Sequence, residues 1–138
     1  MAGTINMQDM RYLNLFGKIT RVDTRFCFKY NEAIVFCVPK QLVSKSVGQA
    51  GKNVKKLNEI LHKKIKIIPA PNSINDAEQF LRDIVSPVGF KGMEVTDDEI
   101  ILTAGSQNKA ALIGRNKRRM KEMQQIVADY FKRDFRIV

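Results

Sequence analysis

The sequence predicts an α+β protein made of two successive αββααβ units, each a three-stranded sheet with helices packed on one face. An internal repeat is the first observation. Superposing Gly48 on Gly114, a shift of 66 residues, brings Val47 onto Ile113, Val54 onto Met120, Leu57 onto Met123, Ile60 onto Ile126 and Leu61 onto Val127. Upstream, Ile34, Val35 and Phe36 meet Ile100, Ile101 and Leu102. The second observation is a break between the copies, Pro69-Ala70-Pro71-Asn72-Ser73, where two prolines remove backbone donors and stop a helix interior or a central strand. The third is that helical and strand-like hydrophobic spacing follow each other in the same order in both copies. The expected domains are residues 1–70 and 75–138, with 71–74 as linker.

In the first copy a helix is expected over about 7–18, with Met7, Met10, Leu13 and Phe16 at spacing three. A hairpin of about 22–29 and 33–38 follows, turning at Tyr30-Asn31-Glu32. Pro39 opens a short helix to about Val47, Gly48 to Gly51 form a tight turn, and a second helix covers about 52–62. Ile65, Ile67 and Ile68 make the closing strand.

The second copy repeats the order. Asn75 followed by Glu78 reads as a helix cap, and Ala77, Phe80, Leu81, Ile84 and Val85 mark the buried face of a helix ended by Ser86-Pro87. Strands are expected near 89–95 and 99–104 around Asp97-Asp98, and Ser106 as the next helix cap. After the Gly114 turn a long helix runs to about Lys132, its stripe Met120, Met123, Ile126 and Val127 reading as core, and a strand covers Phe135 to Val138.

Composition narrows the function classes. With 138 residues and 44% hydrophobic content the chain suits one ordinary domain or two small ones, and a large multidomain enzyme is not expected. The formal charge of +10 favours an anionic partner. The longest strictly apolar run, Ala33 to Val38, is far short of the roughly 20 residues a membrane span needs, and no basic-then-apolar export signal opens the sequence. Cys27 and Cys37 are too few for a zinc knuckle. They read as buried thiols in a reduced cytoplasmic chain, with a cross-hairpin disulfide as the alternative. Phe26, Phe28, Tyr30 and Phe36 alternate on the hairpin and read as core in preference to a base-stacking platform.

The element with chemical content is helix, then Val47-Gly48-Gln49-Ala50-Gly51-Lys52-Asn53-Val54, then helix. Glycine permits positive φ and close backbone approach, and a helix starting there aims unpaired N–H groups outward, which together make a phosphate cradle. Charge gathers around it. Residues 40 to 66 hold eight lysines, Lys45, Lys52, Lys55 and Lys56 among them, against the single acid Glu59. From Ile100 to Lys121 there are six cations, Lys109, Arg115, Lys117, Arg118, Arg119 and Lys121, and no acid. A purely structural helix corner with a solvated basic face is the competing reading for both glycine turns. No GxxxxGK[ST] loop, paired-His metal motif or triad is present, and His62 has no partner suited to catalysis, so neither an enzyme nor a cofactor is expected.

With GxxG between two helices, a hairpin upstream and αββααβ order, the sequence resembles the type II KH domain, twice in tandem over nearly the whole chain. The stretches Met10-Arg11-Tyr12-Leu13-Asn14-Leu15-Phe16 and Gly51-Lys52-Asn53-Val54-Lys55-Lys56-Leu57 are similar, more narrowly, to archaeal NusA-like transcription factors. KH domains grip about four nucleotides of single-stranded nucleic acid through the GxxG loop. The resemblance implies that Gly48 to Gly51 hold RNA phosphates through backbone N–H groups while Val47 and Val54 line a groove for the bases. Ile113-Gly114-Arg115-Asn116-Lys117-Arg118-Arg119-Met120 is the matching segment of the second copy. There Lys117 replaces the closing glycine, so a degraded but still basic cradle is expected, whereas the first loop carries Gln49 where the family often has Lys or Arg. Bacterial relatives carry polymerase-binding and S1 domains for which 138 residues leave no room. The expected partners are single-stranded RNA and RNA polymerase, with no membrane, for a monomer. A ribosome-assembly or translation protein and an adaptor docked on the polymerase are the alternatives.

Overall fold

The computed structural model describes residues 7–138 and divides between Pro71 and Asn72 into two compact units. Residues 1–6 of the expected first domain lie outside the described residues. Each unit has the order α-β-β-α-α-β around its own three-stranded sheet.

In the first unit, α1 (Met7–Thr20) precedes the hairpin β1 (Phe26–Tyr30) and β2 (Ala33–Val38). The core side of α1 is Tyr12, Phe16 and Thr20, while Met7 and Met10 are 75% and 54% exposed. Of the four residues at spacing three, Phe16 is buried and Leu13 packs on the core while Met7 and Met10 turn away, because each step of three falls about 60° short of a full turn and four such residues sweep half the helix. Phe16 stacks on Phe36 with ring centroids 4.4 Å apart. The segment before β1 is irregular because side chains take its backbone groups. Val22 N–H donates to the Thr20 hydroxyl, the Thr24 hydroxyl donates to the Cys37 carbonyl, and β1 starts only at Phe26. Asn31 and Glu32 both have positive φ, a two-residue turn of the kind that matches strand twist, and Tyr30 pairs with Ala33 inside the ladder.

β2 is the central strand, antiparallel to β1 and parallel to β3 (Lys64–Pro69), and all six of its residues are buried. Ile34, Phe36, Val38 and Ile65 form the core with residues of α1 and with Leu57 of α3 (Lys52–Leu61). Pro69 ends an edge strand, where its missing donor disturbs no ladder.

Cys27 pairs with Phe36, and Cys37 with Phe26, so the two thiols lie on opposite faces of the sheet and remain unbridged. Burial, with smaller contributions from Asp9 and Cys37, pushes the Cys27 thiol from 9.0 to about 12. The unfolded chain ionises this thiol near 9 while the folded chain keeps the proton. Its contribution to stability is therefore complete below pH 9 and is lost as pH rises toward 12. The unfolding midpoint is expected to fall across that window in the native chain and to fall less in Cys27→Ala.

The second unit holds α4 (Ala77–Val85), β4 (Gly92–Val95), β5 (Glu99–Thr103), α5 (Lys109–Ile113), α6 (Arg118–Phe131) and β6 (Asp134–Ile137). The expected apolar face of α4 is buried throughout. Its entry is capped by Ser73, whose hydroxyl accepts from Asn75 N–H at 3.2 Å, and not by Asn75. A single 3₁₀ turn separates that cap from the helix. β4 begins at Gly92 and not at residue 89, because Asn108 Nδ2 takes the Gly89 carbonyl and Arg82 Nη1 takes that of Phe90, whose ring lies 4.2 Å beneath the same guanidinium. Ser106 does not cap α5. The Gly105 carbonyl accepts from Asn108 and Lys109 N–H instead, and Gly105 has φ +82°. Met123, Ile126 and Val127 of α6 are buried with Phe131, and Met120 is half-buried. The repeat is imperfect in packing, since Ile126 is 4% exposed but Ile60 is 47% exposed on a helix of 10 residues against 14.

Candidate nucleic-acid interface

Each unit carries its glycine turn between two helices. In the first, α2 (Val43–Val47) ends at Gly48 (φ 82°, ψ 165°), Ala50 turns left-handed (φ 56°, ψ 25°) and Gly51 (φ 73°, ψ 19°) opens α3. In the second, α5 ends at Gly114 (φ 77°, ψ 169°), Asn116 follows (φ 56°, ψ 28°) and Lys117 (φ 61°, ψ 23°) opens α6. The two backbones follow the same path. Lys117 therefore does not force a different turn.

The reason lies in the space at each corner. A Cβ on Gly48 would stand 2.9 Å from Asn53 Nδ2, and one on Gly114 would stand 2.9 Å from Arg119 Cγ and 3.0 Å from its backbone nitrogen. At Gly51 a Cβ would meet nothing within 4 Å. The first glycine is thus required for space as well as for φ, and the last only for its left-handed conformation.

Gly51 and Lys117 N–H bond back to the carbonyls of Gly48 and Gly114, each at 3.1 Å, and Lys52 N–H bonds to Gln49. That leaves the exposed tip, Gln49 and Ala50 in one loop and Arg115 and Asn116 in the other, as the place where backbone donors can meet a phosphate. Around the first tip Lys45, Lys52, Lys55 and Lys56 are exposed, and around the second Lys109, Arg115, Lys117 and Arg118 are exposed. Val47, Val54 and Ile113 are half-buried, and Val54 packs on the core.

Two expected contact residues are turned to another task. Asn53 is buried, and its Nδ2 donates to the carbonyls of Ser46 at 3.1 Å and Lys45 at 3.4 Å. Arg119, its repeat partner, is half-buried and donates from Nη1 to the Ala111 carbonyl at 2.9 Å. Both brace the end of the preceding helix, whose last carbonyls otherwise lack donors. They are positioning residues, and no pattern in the sequence distinguishes them from their exposed basic neighbours.

A cleft of about 550 Å³ adjoins the first loop, lined by Ser44, Lys45, Gly48, Gln49, Lys52, Asn53 and Lys56 and, on the other side, by Ile19, Thr20 and Arg21 from the end of α1. The α1 residues were invisible to a reading centred on the glycine motif. Beside the second loop a cleft of about 440 Å³ is lined by Arg115, Asn116, Arg118, Lys121 and Glu122, so an acid stands one residue past the uncharged-by-acid stretch. His62 is exposed in the left-handed position ending α3. No cluster of three metal-ligating side chains and no helix long and apolar enough to cross a membrane occurs among the described residues.

The fold and site define a class: paired α+β units, each presenting a basic glycine turn between helices. Two curated proteins share sequence with it. The chain is 30% identical over 91 residues to the probable transcription termination protein NusA of Methanococcus vannielii, covering 66% of this chain and 51% of that protein. To the protein of the same name from Methanocaldococcus jannaschii it is 29% identical over 84 residues, covering 61% and 44%. The chain is thus related to archaeal NusA-like proteins, and its matched part spans about half their length. The crystal structure of APE1850 has the same fold, with a TM-score of 0.67 at 21% identity over 97% of this chain and 99% of that one. No protein-family model matches the chain.

Proposed function

We propose that this chain is a NusA-like transcription factor that binds single-stranded RNA through two type II KH domains, one in each unit. The observation that carries the reading is that two glycine turns with one backbone path each stand among exposed cations. The mechanism is positioning and not chemistry. Backbone N–H groups at Gln49–Ala50 and Arg115–Asn116 and the surrounding Lys and Arg hold phosphates, while Val47, Val54 and Ile113 offer apolar surface to bases. Such a protein needs no cofactor, turns over no substrate, and acts as a cytoplasmic monomer on nascent RNA beside RNA polymerase.

Fluorescence anisotropy with short single-stranded RNAs across a salt series tests this. If each loop holds about four nucleotides, the footprint is roughly eight, and each neutralised phosphate steepens the dependence of log affinity on log salt by about 0.7. Equal affinity for duplex DNA would count against it.

Lys117→Gly separates the two roles of that side chain. Glycine removes the left-handed strain of about 1 kcal/mol but adds unfolded-state freedom of similar size, so thermal stability is expected to hold or rise slightly. RNA affinity is expected to fall about two- to fivefold with the lost charge. A gain in affinity would mean that the side chain obstructs the RNA.

A further inference from the structure

The cleft beside the first loop brings in residues that the glycine motif does not contain. Arg21 from the end of α1 faces Lys45, Lys52 and Lys56 across it, and no carboxylate is among the lining residues. Lys52 and Lys56 are four apart on α3 and so share a face. Four like charges around a concave, partly apolar space repel one another, and an anionic ligand relieves that repulsion.

Arg21 is held in place by its backbone. The Thr20 hydroxyl donates to the Phe16 carbonyl at 2.7 Å and accepts from Val22 N–H at 3.1 Å, while Arg21 N–H donates to the Gly17 carbonyl at 3.0 Å. Arg21 itself has φ 61°. Glycine is the residue that takes this helix-ending position without steric penalty.

We infer that this cleft is a second phosphate-binding subsite, continuous with the first glycine loop, that takes backbone phosphates of the same RNA strand beyond the loop, with Arg21 and Lys56 as the contacting cations. Its ligand, single-stranded RNA, rests on the function proposed above. The cleft contains Gly48 and Gln49 as well as Arg21, so a strand leaving the loop passes directly into it.

The test uses the full chain carrying Arg115→Asp/Asn116→Asp, so that the first unit alone is read, with unstructured RNAs of about four and about eight nucleotides. Adding Arg21→Gly is expected to weaken the longer RNA roughly three- to tenfold and to lower its salt slope by about 0.7, leaving the shorter RNA unchanged. Glycine suits the backbone here, so thermal stability should not fall. Lys56→Ala should also weaken the longer RNA, and because Lys56 stands beside the loop tip as well, the shorter RNA is read in Arg21→Gly alone. If both changes leave the longer RNA unaffected while Gln49→Asp/Ala50→Asp abolishes binding, the subsite is overturned and the loop reading stands. If the loop variant keeps full binding, the parent reading fails and the subsite with it. An equal loss for duplex DNA would reduce the cleft to a nonspecific basic surface.

Discussion

Gln49→Asp/Ala50→Asp is expected to weaken binding of short single-stranded RNA by about a hundredfold at low salt, because like charges brought together cost several kcal/mol where donors and phosphates meet. The fold should tolerate the change. Both side chains are exposed, and Ala50 already occupies the left-handed region, which Asp accepts more readily than most residues. Arg115→Asp/Asn116→Asp places the same charges at the same points of the second loop, where Asn116 has φ 56° like Ala50. Because the turn is preserved there and ringed by Arg115, Lys117 and Arg118, its loss is expected to be of the same order. A loss confined to the first variant would show that a matching backbone is insufficient and that the left-handed Lys117 side chain blocks the strand. No loss in either variant would leave both turns as structural corners on a sticky surface.

Gly48→Ala is expected to destabilise the first unit by about 2–4 kcal/mol, and Gly51→Ala by only about 1 kcal/mol. Gly48 combines φ 82° with ψ 165°, a region open essentially to glycine, and the added methyl would press on Asn53, which cannot retreat without releasing the Ser46 and Lys45 carbonyls. At Gly51 only the left-handed conformation opposes a Cβ. For a unit of this size the difference corresponds to a midpoint separation of roughly 10 °C in thermal unfolding. Gly114→Ala should resemble Gly48→Ala, since its methyl would meet Arg119 Cγ and the Arg119 backbone nitrogen. Equal effects at Gly48 and Gly51 would mean that Asn53 yields easily and that conformation alone sets the cost.

Local chemistry made much of the fold legible. Ala77, Phe80, Leu81, Ile84 and Val85 follow a helical period long enough to fix the buried face of α4, and all five are buried. Asn31-Glu32 between two apolar runs left room only for a tight turn. Of the residues at spacing three in α1, Phe16 stacks on Phe36 and is buried while Met7 and Met10 are exposed, because that spacing alone selects no unique face. The caps at Asn75 and Ser106 went to Ser73 and to the Gly105 carbonyl, since acceptors a few residues apart compete and geometry chooses among them.

By itself the sequence determined the doubled αββααβ order, the break near Pro71 and the basic glycine turns, because repeats, proline chemistry and charge are properties of residues in order along the chain. Only the tertiary structure decided that Lys117 sustains the turn, that Asn53 and Arg119 brace it, that the two thiols face apart and that Arg21 borders the first loop. Those facts depend on the space around a Cβ, the direction of a side chain and the approach of segments distant in sequence, none of which is encoded locally.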